Sequence, residues 1–336
     1  MDGHGGTRFV LVTGTTRTAE IDGISAAGSD PDLLAHTPAA DAEIVRYGDL
    51  VRASDVPQSP TGCLTPAVVS RAVVELLDLD VTVVDGGLAE PTGAPTTSVG
   101  ARPGRDVREQ DPVPSAPGAF EAARQFGRAL PADEIVLGES IPGGTTTALG
   151  VLRALGEREA VSSSLPENPI DRKRAIVEEG LAASALEPGD AADQPKRAVR
   201  RMGDPVLAVA SGIALGAVET DCAVTFAGGT QMATVGALLR HAGVDGRLAL
   251  ATTAYVARDS SADIRGLASD LELGLTVSDP GFDESDHVAM ERYEAGEAKE
   301  GVGMGGLLAL AERAGLSGTV VRERVATLAD ELMAER

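Results

Sequence analysis

Tryptophan is absent, and phenylalanine and tyrosine bring aromatic content to only 2 % of a 336-residue chain whose apolar content is 43 %. The core must therefore be aliphatic, and no aromatic platform exists on which nucleic-acid bases could stack. The only cysteines, Cys63 and Cys222, lie far apart without redox or metal spacing, which argues against a disulfide framework and for a reducing interior. His4, His36, His241 and His287 make no ligand pattern, so no metal site is expected. The longest apolar run, 205–218, is too short to span a bilayer. The leading MDGHGGTRFVLVTG lacks a basic segment followed by a long apolar one, so a cytoplasmic location is expected.

What the chain does contain is alternation. Strand-like apolar runs fall at 9–12, 43–47, 81–84, 135–137, 224–226, 248–251 and 273–277. Helical spacing falls between several of them, at 66–77, 120–130, 145–155, 230–241 and 261–270. This pattern predicts an α/β fold with a Rossmann-like, mostly parallel sheet flanked by helices. Residues 86–118 read as a long irregular loop. A helical stretch at 171–186 is followed by the acidic linker EPGDAADQ and a basic cluster at Lys196, Arg197, Arg200 and Arg201. Beyond residue 285 only helical patterns remain, which divides the chain into an α/β domain at 1–285 and a smaller helical lobe at 286–336.

Ligands of such sheets gather at the carboxyl ends of the strands. Three glycine-bearing turns are predicted there: Asp85-Gly86-Gly87, the stretch LGESIPGGTTTALG at 137–150, and Ala227-Gly228-Gly229-Thr230-Gln231. In the second, Gly143 and Gly144 join a short apolar strand to a helix, followed by Thr145, Thr146 and Thr147. Glycines permit close approach of a ligand to the free N–H groups of a helix's first turn, a geometry suited to phosphate. No Lys follows the glycines and no GxGxxG is present, so the stretch is neither a Walker loop nor a dinucleotide fingerprint. Two carboxylates stand next to glycines, Glu139 and Glu300, the latter ahead of Gly301-Val302-Gly303. In a dry cleft such a group becomes a general base; at a helix start it can equally do no more than complement the dipole.

Taken together these stretches resemble the nicotinate-nucleotide:dimethylbenzimidazole phosphoribosyltransferase family of cobalamin biosynthesis, in its archaeal branch. Gly138-Glu139 with Gly143-Gly144-Thr145-Thr146-Thr147-Ala148 is similar to the family's glycine–threonine loop. Asp171-Arg172-Lys173-Arg174 is similar to the basic helix after it, Asp204-Pro205 and Gly228-Gly229 to the next landmarks, and Glu300-Gly301-Val302-Gly303 to the terminal Glu–Gly signature. The likeness runs from about residue 81 to 311, and residues 13–28 resemble archaeal members only. Two departures stand out: Ser140-Ile141-Pro142-Gly143-Gly144 replaces the bacterial Met-Gly-Ile-Gly-Asn, and Thr230-Gln231 replaces an aromatic residue and a glutamate.

The resemblance implies transfer of 5-phosphoribosyl from nicotinate mononucleotide to a benzimidazole-type base, giving an α-riboside 5′-phosphate for the cobamide lower ligand, with no cofactor. It implies Glu300 as catalytic base, supplied by the C-terminal segment, and Glu139 and Asp85 as base-binding residues. Phosphate and ribose would lie on Gly143, Gly144, Thr145, Thr146, Lys173, Gly228, Gly229, Gly301 and Gly303. A homodimer is implied as well. Two other classes fit parts of the pattern: a non-catalytic nucleotide-binding or regulatory protein of the same fold, and a Rossmann oxidoreductase, which lacks its fingerprint here.

Asp and Glu total 51 against 29 Lys and Arg, a net charge of −22, and lysine occurs only at 173, 196 and 299. An acidic surface whose cations are almost all arginine suits concentrated salt, where screening removes self-repulsion. Dialysis from molar salt into dilute buffer should therefore unfold the protein, seen as loss of far-ultraviolet dichroism; full stability there would refute the halophilic reading.

Overall fold

The computed structural model of the chain describes residues 6–25 and 33–334. Positions 26–28 of the stretch that resembles archaeal members lie outside the described residues. Strand β1 (Thr7–Thr13) leads to α1 (Thr37–Tyr47), α2 (Ala67–Leu76), β2 (Asp80–Asp85) and the short β3 (Thr96–Ser98). Next come α3 (Ala116–Ala129), β4 (Glu134–Ser140), α4 (Gly144–Leu155), α5 (Ile170–Ala183), α6 (Pro195–Met202), α7 (Pro205–Val218) and β5 (Ala223–Ala227). The chain continues through α8 (Thr230–His241), β6 (Leu248–Thr253), α9 (Ala254–Arg258), α10 (Ile264–Asp270) and β7 (Leu273–Ser278), then α11 (Val288–Glu294), α12 (Met304–Arg313) and α13 (Gly318–Ala334).

The strands form one seven-stranded sheet in the order β3-β2-β1-β4-β5-β6-β7, every pairing parallel. Strand period sets its two faces. Val10, Val12, Ile135 and Leu137 point into a core shared with α3 to α8. Phe9, Leu11 and Val136 point the other way, into a core shared with α1, α2, α12 and α13. The C-terminal helix α12 thus packs on the sheet beside α2. Strand order reverses between β1 and β4, so a crevice opens beyond Thr13 and Ser140. Among the described residues no helix is long and apolar enough to cross a membrane.

Residues 43–47, expected as a strand, are the last turns of α1. The run Glu-Ile-Val-Arg-Tyr favours extended structure by composition, but Pro38 starts a helix ahead of it and Gly48 ends one behind it at φ 77°. Glu43 is buried, and its carboxylate accepts N–H bonds from Val51, Arg52, Ala53 and Gly93. The loop at 86–118 contains β3 and enters α3 at Ala116. The basic cluster is spent on the protein itself: Arg200 pairs with Asp111 at 2.6 Å, Lys196 with Glu121, and Arg197 and Arg201 donate to the carbonyls of Asp190 and Gln110.

The apolar run 205–218 is helix α7, and it meets α3 backbone to backbone. A Cβ on Gly212 would lie 2.4 Å from the Phe120 carbonyl oxygen, and one on Gly216 2.0 Å from that of Arg124. Gly216→Ala should cost about 1–3 kcal/mol through overpacking, because rigid backbone must yield. Thermal melts at fixed salt will show it, and an unchanged Tm would mean that the two helices can separate freely.

Candidate active site

The crevice is a cleft with about 970 Å³ of empty space, counting its open mouth. Its floor comes from the turns after β4 and β5, one wall from residues 57–66 between α1 and α2, and another from 298–302 ahead of α12. Three helices start at this edge on glycine with no side-chain cap: α4 on Gly143, α8 on Gly229 and α12 on Gly303. Their first-turn N–H groups carry the positive end of the helix dipole. Gly143 and Gly303 have φ of 78° and 79°, which a side chain would resist.

Glu300 lines the cleft and keeps part of its surface open to it. Oε2 accepts from Thr253 N at 2.9 Å and Thr252 Oγ1 at 3.3 Å; Oε1 accepts from Gly305 N at 2.9 Å and Gly301 N at 3.2 Å. Burial pushes its carboxyl up to about 7, and those four donors, which favour the ionised form, limit the rise. The segment that presents it is strained: Gly301, Val302 and Gly303 all have positive φ, and 53° at the β-branched Val302 is an outlier. Val302 is clamped from both sides, its N–H donating to the Glu139 carbonyl at 2.8 Å and its carbonyl accepting from Ser70 Oγ at 2.8 Å. One strand end thus ties the two glutamates together.

Glu139 also lines the cleft, and its carboxyl is pushed up to about 8, first by burial and then by repulsion from Asp204, Glu300 and Asp41. At neutral pH the pair therefore divides into a mostly protonated Glu139, able to donate, and a Glu300 that is about half ionised and can accept in that form. Asp41 is a third carboxylate of the cleft, raised to about 6 by burial and held from rising further by the hydroxyls of Ser140 and Thr65, each donating at 2.6 Å. Asp204, also raised by burial, accepts from Leu207 N and Gln231 Nε2 behind the floor.

Of the residues expected at the site, Glu300, Glu139, Gly143, Gly144, Thr145, Gly229 and Gly301 line the cleft. Thr146 is fully buried beside it. Gly228 shapes the turn, where a Cβ would meet Met232, and Gly303 lies against the Phe9 ring. Lys173 is buried behind Thr145. Its Nζ donates to Thr145 Oγ1 at 2.9 Å, Ser162 O at 2.8 Å and Asn168 Oδ1 at 3.2 Å, so all three N–H donors are taken. Burial, with Lys299 nearby, lowers its ammonium to about 7. Asp85 is outside the cleft, because its Oδ1 accepts from Gly87 N and Leu88 N and so closes the turn after β2. Sequence reasoning noted Gln231 only as a departure from the family pattern in one of the glycine turns and did not select Asp41 or Lys299; all three line the cleft.

A parallel sheet with helices on both faces and glycine-started helices around a cleft defines an α/β fold. The solved nicotinate-nucleotide-dimethylbenzimidazole phosphoribosyltransferase of Thermus thermophilus shares this fold. Its TM-score is 0.61 over 96 % of this chain and 83 % of that one, at 19 % identity. A structure of CobT from the same organism gives the same score over 97 % and 84 %. The chain belongs to the UPF0284 family. It is 56 % identical to the UPF0284 protein of Halobacterium salinarum across 99 % of this chain and all of that one, and 41 % identical to that of Methanosarcina mazei across 94 % and 92 %. The member from Thermococcus gammatolerans is 39 % identical across 97 % and 98 %. No protein-family model matches the chain.

The folded state raises the Glu139 pKa above its ordinary value of 4.5, to about 8. Between those values the fold holds a proton that the unfolded chain has lost, so stability falls as pH rises through the window. Glu139→Gln removes that group. The variant should melt with wild type near pH 5 and exceed it by about 2–4 kcal/mol near pH 9, as read from Tm at constant salt. An equal gap at both pH values would show that Glu139 does not titrate in the fold.

Proposed function

We propose that the protein transfers the 5-phosphoribosyl group of nicotinate mononucleotide to a ring nitrogen of a benzimidazole-type base, releasing nicotinate. The observation that carries this reading is the placement of the Glu300 carboxylate in the same cleft as the uncapped starts of α4 and α8. Those helix starts suit a phosphate held by backbone N–H groups. Lys173 adds positive potential from behind Thr145, which it orients. The Thermus thermophilus nicotinate-nucleotide-dimethylbenzimidazole phosphoribosyltransferase, which shares the fold, belongs to the same reaction class.

The chemistry asks little of the protein beyond orientation and one proton. The C1′–N bond to the pyridinium breaks with its electron pair going to nicotinate, a good leaving group that needs no acid. The acceptor's ring nitrogen forms the new C1′–N bond from the opposite face, inverting the anomeric centre. As it does so, the proton on the acceptor's other ring nitrogen passes to Glu300. The Thr252 hydroxyl, the longest of the four donors to Glu300, can rotate aside to free the lone pair this requires. Protonated Glu139 is suited to donate to the base or the ribose. A nucleotide-binding protein without turnover would keep the helix starts but would have no use for the strained Glu300 segment.

Nicotinate mononucleotide and a panel of bases in molar salt, followed by chromatography, test the reading. Nicotinate release should rise with pH through about 7 as Glu300 ionises and decline above about 8 as Glu139 does. Glu300→Gln should lower the rate by about 10²–10⁴ while nucleotide binding survives. Binding without release for any base would turn the assignment to the non-catalytic protein.

A further inference from the structure

We propose that Gln231 accepts a hydrogen bond from a ribose hydroxyl and makes the cleft selective for ribonucleotides over deoxyribonucleotides, an assignment that rests on the phosphoribosyl reading above. Gln231 sits in the first turn of α8, is 4 % exposed and lines the cleft. Its Nε2 donates to Asp204 Oδ2 at 2.8 Å. The other Asp204 oxygen accepts from Leu207 N at 2.9 Å, and Oδ2 also meets the Thr147 hydroxyl at 2.5 Å. A carboxylate oxygen at that place fixes the amide orientation, since a flipped amide would set oxygen against oxygen. Gln231 Oε1 is then turned away from Asp204, and it has no donor among the described residues.

A buried acceptor left without a donor is costly, and few persist in native proteins unless something else fills them. The location says what could. The Gln231 amide packs on Gly144, so closely that a Cβ there would lie 3.2 Å from both Cδ and Nε2. Gly144 is the first residue of α4 and belongs to the turn assigned to the phosphate. The group beside the phosphate in a 5-phosphoribosyl donor is the sugar. An ionised phosphate, the ring oxygen and the nicotinate carboxylate are all acceptors, so the sugar hydroxyls are the donors that the nucleotide can offer. Among the nucleotide's own groups Gln231 therefore matches a hydroxyl, and its place beside the phosphate turn favours the sugar over the base. A glutamate at this position would face Asp204 as a second charge, whereas the amide both satisfies Asp204 and presents an acceptor.

The test compares nicotinate mononucleotide with its 2′-deoxy and 3′-deoxy analogues, in binding and in kcat/KM, at constant molar salt. Wild type should discriminate against one analogue by about 10–10²-fold, the worth of a buried acceptor left unpaired. Gln231→Met keeps length and burial but removes the acceptor. It should weaken the ribonucleotide and leave that deoxy analogue unchanged, so that the ratio collapses toward one. Equal affinity of wild type for all three nucleotides would overturn the proposal without any variant. So would a Gln231→Met defect of equal size for ribo and deoxy ligands, the pattern of a residue that merely supports Asp204. Failure of wild type to bind nicotinate mononucleotide at all would instead remove the phosphoribosyl reading on which the proposal stands.

Discussion

Because every strand pairing is parallel, every strand-to-helix turn on the sheet leaves by one edge, and the helices that follow start there. The rest of the site depends on that constraint. Helix starts carry unpaired N–H groups and positive partial charge, so negative groups collect where those starts are gathered. Glu300 shows the effect in its own bonds: it takes the Gly305 N–H at the start of α12 and the Thr253 N–H at the end of β6. Without those donors a carboxylate so enclosed would be driven further toward protonation. With them it stays near the pH at which a base is useful. The dipole-complementing role and the catalytic one proposed for Glu300 are thus compatible, because the first keeps its carboxyl in a range where a base could act.

Several acids share this edge, and they do not share one fate. Glu139 has few compensating donors and three acidic neighbours, so it holds its proton. Asp41 is bonded by Ser140 and Thr65, and Asp204 by Leu207, Thr147 and Gln231. These bonds make Asp41 and Asp204 fixtures that orient the turns around them. The cost of burying so many carboxyl groups falls on stability at high pH, which is the usual exchange at a site arranged for chemistry.

How much of this was legible in the sequence follows from how local each cause is. Strands at 9–12 and 135–137 stood out because burial on both faces forces unbroken apolar runs. The turn at 137–150 stood out because glycine before a helix has a local meaning. Helix α1 was misread because its last residues favour extended structure, while the decisive signals, Pro38 and Gly48, lie outside the run. Asp85 is the opposite case: an acid before two glycines looks like a ligand loop, and in the fold its carboxylate closes its own turn away from the cleft lining. Asp41 could not be found at all, since its partner Ser140 lies 99 residues away.

The scarcity of lysine acquires a meaning at the cleft. Of the three lysines, Lys173 and Lys299 are buried there, and only Lys196 sits on the surface. Lys299 is matched by Asp259 at 2.7 Å, whereas Lys173 is held by neutral oxygens alone. A guanidinium is a rigid planar fork and would not fit the three convergent acceptors around Lys173; an ammonium does. A chain that otherwise carries its positive charge on arginine has therefore kept lysine where a compact cation must sit inside. Lys173 has no carboxylate among its hydrogen-bond partners and burial lowers its ammonium to about 7, so an anion that enters the cleft would favour its charged form. In a protein of net charge −22 that coupling favours an anion where the surface field would repel one.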